Sequence, residues 1–181
     1  MTERYEFLDA LETLVKHRVR FVVIGGLGGR LRGTTTVTDD VDVCYSGDSE
    51  NLKRMVRALK EVHATLRGAP KSVPFKLDAR TLEMGDRFTF DTDTGKLDIL
   101  GHPSGIPGGY EELERTADEM SLGMGLSVLV ASIDDLIRMK QAAGRPKDLI
   151  EVEVLGALRD EIDERAMAER RKRSRRRRRS P

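Results

Sequence analysis

Residues 21–45 read FVVIGGLGGRLRGTTTVTDDVDVCY, and this stretch decides the fold. The apolar, β-branched run Val19–Ile24 predicts a buried strand that ends at the glycine pair Gly25-Gly26. A short segment follows, and Gly33 and a run of threonines break it. A second strand is then predicted over Val41–Tyr45. Two strands joined by a glycine-rich connection therefore begin the predicted sheet.

Helical and extended patterns continue on both sides of this stretch. The predicted elements are a helix over 7–15, a helix over 49–63, a hairpin of strands 87–90 and 96–100, a strand over 126–130, and helices that begin at Ser132 and Pro146. Ser132 and Asp135 form a capping-box pattern. The order of elements predicts an α+β fold, in which helices pack on one side of a small mixed β-sheet and a helical part follows at the C-terminus.

Composition excludes several classes of protein. Hydrophobic residues make up 38% of the 181 positions and charged residues 35%, which describes one charged domain with an aliphatic core. The longest apolar run, Phe21–Ile24, is too short to span a membrane, and the N-terminus lacks the apolar stretch of a signal peptide. The single Cys44 fits a reducing compartment. We therefore expect a cytoplasmic protein that does not act at a membrane.

Charge divides the chain into two unequal parts. Residues 170–181 contain nine Lys and Arg and no acid, which leaves 23 basic and 31 acidic residues before them, a charge of about −8. A like-charged block of this kind does not pack and is usually disordered. We predict a folded domain over 1–165 and a disordered, Arg-rich basic tail over 166–181.

The pair Asp40 and Asp42 opens the second predicted strand. Alternate residues of a strand project to the same side, so these carboxylates lie side by side while Val41 faces the core. Their mutual repulsion is relieved by a hard divalent cation such as Mg²⁺. Gly25-Gly26, at the end of the preceding strand, lets backbone N–H groups approach a triphosphate without obstruction.

A third acid, Asp98, stands alone inside an apolar strand. Because a central strand does not bury a lone carboxylate without a partner, a neighbouring metal is a good reason for its presence. Alone, an Asp-x-Asp pair is usually a solvated strand edge, and a Gly-Gly pair is usually a turn. Together with Asp98, however, they form the arrangement in which two metals serve in-line phosphoryl or nucleotidyl transfer.

Two motif blocks resemble known families. Gly25-Gly26 followed by Thr38-Asp39-Asp40-Val41-Asp42 resembles the signature of the polymerase-β-like nucleotidyltransferases, which implies that fold. Asp134-Asp135-Leu136-Ile137-Arg138-Met139-Lys140, followed by Arg145-Pro146-Lys147-Asp148-Leu149, resembles the nucleotidyltransferase toxins of the AbiEii/AbiGii type. The second resemblance implies the toxin of a toxin–antitoxin pair.

The resemblance implies roles for individual residues. Asp40 and Asp42 bind metal, and Asp98 assists metal binding or activates the acceptor hydroxyl. Lys140 contacts the nucleotide phosphates, and Lys147 and Asp148 complete the pocket. The implied cofactor is Mg²⁺, as two ions for which Mn²⁺ can substitute, and the implied substrate is an NTP.

Other readings of these residues stay open. Lys140 also fits an exposed helix lysine, and Asp148 also fits simple helix capping. Arg30 and Arg32, on the short helix after the glycines, are further candidates for phosphate contact. The chain departs from the family pattern at two positions: Gly26 stands where many relatives have Ser, and Glu151 stands where the last motif often has Asp.

The acceptor is the least constrained part of the prediction. The toxin resemblance implies the 3′ end of tRNA or another RNA, together with a cognate antitoxin protein as partner. A protein hydroxyl and a small-molecule hydroxyl are the alternative acceptors. A nucleotide-binding regulatory or antitoxin-like partner without turnover is the alternative class of function, and the complete acid triad argues against it.

Overall fold

The computed structural model describes residues 3–70 and 74–177 of the chain. Within them, the helices are α1 (Glu3–Lys16), α2 (Gly25–Arg32), α3 (Ser49–Glu61), α4 (Ala79–Met84), α5 (Gly109–Glu114), α6 (Ile133–Ala143) and α7 (Pro146–Arg177). The strands are β1 (Phe21–Ile24), β2 (Asp40–Tyr45), β3 (Thr65–Leu66), β4 (Arg87–Thr92), β5 (Gly95–Leu100), β6 (Asp118–Gly123) and β7 (Leu126–Val130). None of these helices is both long and apolar enough to cross a bilayer.

The strands form one mixed sheet in the order β3-β4-β5-β2-β1-β7-β6. At its centre, β1 pairs antiparallel with β2 and parallel with β7, while β2 pairs parallel with β5. The outer pairs, β3–β4, β4–β5 and β6–β7, are all antiparallel. The predicted α+β class with a mixed sheet and a C-terminal helical part is confirmed, and β4–β5 is the predicted hairpin.

Alternation along β1 sends side chains into two separate cores. Phe21 and Val23 pack in the core that contains α1 and α3, whereas Val22 and Ile24 pack in the core that contains α5 and α6. All four residues are at most 5% exposed. Helices therefore cover both faces of the sheet, and the prediction that they pack on one side is wrong. The signal for two covered faces was β1 itself, since a strand that is apolar at every position is buried on both sides.

The last helix is longer than the sequence predicts. α7 continues to Arg177, and 178–181 lie outside the described residues, so the disorder of 166–181 stays a prediction. Ala, Glu and Arg are strong helix formers, and the pair Glu161 and Arg165 adds an ion pair one turn apart. Local helix propensity and like-charge repulsion therefore oppose each other in this segment.

Candidate functional site

Three acids converge because of the register between β2 and β5. Asp42 lies directly opposite Asp98 in this parallel pair, and Asp40 lies two residues earlier on β2, on the same face of the sheet. One carboxylate oxygen from each of the three residues lies within 4.8 Å of the other two. The structure thus brings together the three acids that the sequence singled out.

The proximity of these acids disfavours their ionised forms. Burial raises the pKa of Asp42 to about 7, and the Asp40 and Asp98 carboxylates add to that shift. Burial also raises the pKa of Asp98, although the neighbouring Arg67 opposes the change. Like charges at directly opposite strand positions destabilise a sheet. A divalent cation bound among them would favour the ionised forms and remove this penalty.

Asp98 is the most buried of the three acids. Its side chain is only 5% exposed, and Arg67 Nη2 lies 2.9 Å from Oδ1 while Arg87 Nη2 lies 3.8 Å from Oδ2. Both oxygens of Asp98 therefore already face a guanidinium group. The three carboxylates together offer oxygen ligands within 4.8 Å of one another, and hard divalent ions prefer such ligands. The cluster therefore fits a hard divalent ion.

The N-terminus of α2 lies beside the acids because β1 ends there. Gly25 has a φ of +64°, and a Cβ at this position would lie 2.2 Å from Asp42 Oδ2, so only glycine fits. Ile24 offers no side-chain cap, and the first turn of α2 holds no acid. A helix N-terminus with these properties attracts anions, since its first N–H groups lack partners within the helix.

Thr38 covers the second glycine of the pair. A Cβ at Gly26 would lie 2.8 Å from Thr38 Cβ and 2.9 Å from Thr38 Oγ1. The same hydroxyl donates a hydrogen bond to Asp40 Oδ1 at 2.8 Å. Thr38 therefore takes the space that a serine side chain at position 26 would need, and it orients one of the acids. Sequence reasoning did not single out this residue.

Lys140 of α6 reaches the same site. Its side chain is 13% exposed, its Nζ lies 3.4 Å from Asp148 Oδ1, and it forms a second ion pair with Glu151. Asp148 is fully buried and also accepts a hydrogen bond from Arg145 Nε at 2.6 Å. Lys140 is thus not an exposed helix lysine, and Asp148 does more than cap α7, because it holds two cations at the site.

These groups enclose a small polar cavity of about 150 Å³. Its lining comprises Gly26, Val37, Thr38, Asp39, Asp40, Asp42, Arg87, Asp98, Lys140, Arg145, Lys147 and Glu151. Pockets that enclose a whole small molecule usually measure roughly 300–1,000 Å³. This cavity therefore suits cations and phosphate groups, and the rest of a nucleotide would lie along the surface.

Two arginines singled out in the sequence lie elsewhere. Arg30 lines a neighbouring apolar groove on the other side of Thr38, not the acidic cavity. Arg32 donates hydrogen bonds to the carbonyl oxygens of Val130 and Ala131 and pairs with Asp118. Arg32 therefore fixes the end of β7 and has its donors engaged away from the acids.

The fold is similar to that of known proteins, although the sequence is not. No protein-family model matches the sequence, and no curated protein matches it significantly. Among solved structures, the chain is similar to the lincomycin-bound lincosamide antibiotic adenylyltransferase LnuA, with a TM-score of 0.58 and 14% identity over 85% of this chain and 96% of that one. It is also similar to a Thermotoga maritima protein proposed to be a nucleotidyltransferase, with a TM-score of 0.50 and 19% identity over 89% and 95%. At these identities the likeness shows a shared nucleotidyltransferase fold.

Proposed function

We propose that this protein is a Mg²⁺-dependent nucleotidyltransferase that moves NMP from an NTP to an acceptor hydroxyl. The observation that carries the proposal is the convergence of Asp40, Asp42 and Asp98 beside the N-terminus of α2. In-line transfer at a phosphorus atom requires oxygen ligands for cations and, beside them, backbone N–H groups for phosphate. The fold shared with an adenylyltransferase supports the same reaction class.

The acids would hold the cofactor. Asp40 and Asp42 would bind one Mg²⁺, and Asp98 would contribute to a second, with Mn²⁺ able to substitute. Bound there, the ions would neutralise charge on the phosphates and on the attacking oxygen. As the family resemblance implies, Asp98 would also help to activate the acceptor hydroxyl by accepting its proton.

The other residues position the NTP. Gly25 and Gly26 leave the N-terminus of α2 open to the triphosphate, and Lys140 and Lys147 offer positive charge across the cavity. As the acceptor oxygen bonds to the α-phosphorus, the bond from that phosphorus to the β-phosphate oxygen breaks, and pyrophosphate leaves with the negative charge. Positioning and charge neutralisation are the protein's contribution to this step.

The acceptor we propose is the 3′ end of tRNA, with the protein as an AbiEii/AbiGii-type toxin that has a cognate antitoxin partner. Support comes from the motif block that carries this resemblance, because its Lys140 and Lys147 line the cavity and its Asp148 pairs with Lys140. A small-molecule hydroxyl is the second candidate, because the fold is similar to that of an enzyme that acts on a lincosamide antibiotic.

Label transfer distinguishes these acceptors. The purified protein is incubated with Mg²⁺ and each of the four α-³²P NTPs in turn, together with total tRNA, a total protein extract or a panel of hydroxylated antibiotics. We expect label in the tRNA fraction, and none when EDTA is added or when Asp42→Asn replaces the wild type. Label only in protein or in an antibiotic would overturn the tRNA assignment. Nucleotide binding without any transfer would overturn the enzymatic function in favour of a regulatory binding protein.

Lys140→Ala tests the role of the buried lysine. Because Lys140 faces the acids with 13% of its side chain exposed, its loss should weaken phosphate neutralisation. We expect kcat/KM for the NTP to fall roughly 100-fold, the scale of one charge-assisted contact at a desolvated site. The split between KM and kcat shows whether Lys140 acts on the bound NTP or only in the transition state.

The matched control is Lys53→Ala, which removes an exposed helix lysine paired with Glu50. It should leave both kinetic constants unchanged. If Lys140→Ala behaves like the control, Lys140 has no part in nucleotide binding.

A further inference from the structure

We propose that the C-terminal part of α7, residues 165–173, is a docking surface for the phosphate backbone of an RNA acceptor. The inference rests on the proposed function, because it names the kind of acceptor that the cavity serves. Four consecutive cations, Arg170, Arg171, Lys172 and Arg173, are exposed on this end. Among the described residues, the ion pairs of α7 end with Arg165 and Glu161, so these four carry charge that the rest of the helix does not neutralise.

The position of this helix end separates it from the body of the protein. Every side chain that the structure describes from Arg159 to Arg173 is exposed, so this part of α7 projects beyond the core. The residues before 170 carry a charge of about −8, whereas nine cations and no acid lie in 170–181. The body repels a polyanion, and the helix end is therefore the part of the surface that would attract one.

The helix joins the basic end to the cavity. α7 begins beside the cavity, where Lys147 contributes to the lining. At 1.5 Å per residue, Arg170 lies about 35 Å along the helix from Lys147. A molecule that reaches from the cavity to the basic end must have that length. A mononucleotide or an antibiotic is too short, while a folded RNA whose 3′ end enters the cavity can place other phosphates along α7.

The composition of the helix end favours RNA over a membrane surface. An interfacial helix needs a continuous apolar face. The larger apolar residues here, Ile162 and Met167, are five positions apart and so fall about 140° apart around the helix. Arginine is well suited to phosphate, because its guanidinium group binds two oxygens at once.

Salt-dependent binding tests the proposal without turnover. Binding of fluorescent total tRNA is measured by anisotropy between 50 and 200 mM NaCl for the full chain and for a variant lacking 170–181. Each single-strand phosphate neutralised adds about −0.7 to the log–log salt slope. We expect the deletion to weaken tRNA binding at least tenfold and to flatten the slope by about 3, while NTP affinity and the thermal midpoint stay unchanged.

Substitutions that keep the chain length supply a matched control. The triple variant Arg170→Gln, Arg171→Gln, Arg173→Gln should lose part of the tRNA affinity. The triple variant Lys53→Gln, Arg57→Gln, Lys60→Gln, which removes three exposed cations from α3, should lose none. Equal losses in the two triple variants would mean that only overall charge matters, and this would overturn the docking surface.

Two further outcomes separate this proposal from the proposed function. The docking surface is overturned, even if transfer activity is intact, when deletion leaves the salt slope unchanged. It is also overturned when the tail increases binding to vesicles containing phosphatidylserine more than binding to tRNA. Tail-dependent tRNA binding without any NMP transfer overturns the proposed function and leaves the helix end as an RNA-binding surface.

Discussion

Asp42→Asn is expected to reduce NMP transfer at least about 1,000-fold, because coordination by metal-binding carboxylates contributes several kcal/mol of transition-state stabilisation. The same substitution should raise the thermal midpoint of the metal-free protein at pH 8. Asp42 lies between two other carboxylates, and burial raises its pKa to about 7. At pH 8 the folded protein must keep this group ionised against burial and repulsion, and the amide removes that cost.

The gain in stability depends on pH in a defined direction. The pKa of Asp42 is about 7 in the folded protein and near 4 in the unfolded chain, so the folded state binds the proton more tightly. Asp42 therefore destabilises the metal-free fold increasingly as pH rises from about 4 to 7, and by a constant amount above 7. The penalty at pH 8 is on the order of 4 kcal/mol, roughly 8–16 °C in thermal midpoint, and most of it should vanish at pH 4.5.

Differential scanning calorimetry at the two pH values, with and without Mg²⁺, measures these effects. Mg²⁺ should stabilise the wild type at pH 8 and leave Asp42→Asn nearly unaffected, since a ligand stabilises only the state that binds it. The control, Asp93→Asn, removes an exposed carboxylate of the β4–β5 turn, and we expect it to change neither activity nor the response to Mg²⁺. Retention of most activity by Asp42→Asn at saturating Mg²⁺ would remove Asp42 from the metal site.

The sequence predicts the local part of the site well. The strand period of two places Asp40 and Asp42 on one face, and the glycine pair marks a connection where side chains are excluded. The pairing of β2 with β5, which brings Asp98 opposite Asp42, joins residues more than fifty positions apart. Periodicity identifies β2 and β5, but it does not give the register between these two distant strands.

Some of what the sequence did not predict lies in elements that show no clear period. Arg67, which approaches Asp98, follows the two-residue strand β3. β6 alternates exposed and half-buried residues with little apolar character, so it gives no strand signal. Arg30 lies one turn beyond Gly26 on α2 and lines a different groove, so its contact with phosphate stays a prediction.

Gly25→Ala is expected to lower transfer about 100-fold without removing any functional group. A Cβ at this position would lie 2.2 Å from Asp42 Oδ2 and 2.8 Å from Asp42 Cβ and Cγ, so Asp42 must move. A displacement of about 1 Å at a reacting centre costs roughly that factor in rate. The left-handed backbone of Gly25, with φ at +64°, adds about 1–2 kcal/mol of destabilisation for an alanine.

Gly156→Ala is the matched control, because it adds the same methyl group to a helical glycine that has no atom within 4 Å of the new Cβ. Alanine is about 1 kcal/mol more favourable than glycine inside a helix, so this variant should be slightly more stable and fully active.

Steady-state kinetics at a series of Mg²⁺ concentrations measures the effect of Gly25→Ala on the metal site. We expect Gly25→Ala to need more Mg²⁺ for half-maximal activity, because the displaced carboxylate no longer coordinates well. A variant that keeps the wild-type rate and Mg²⁺ requirement would show that the close approach of Gly25 to Asp42 has no role in the metal site.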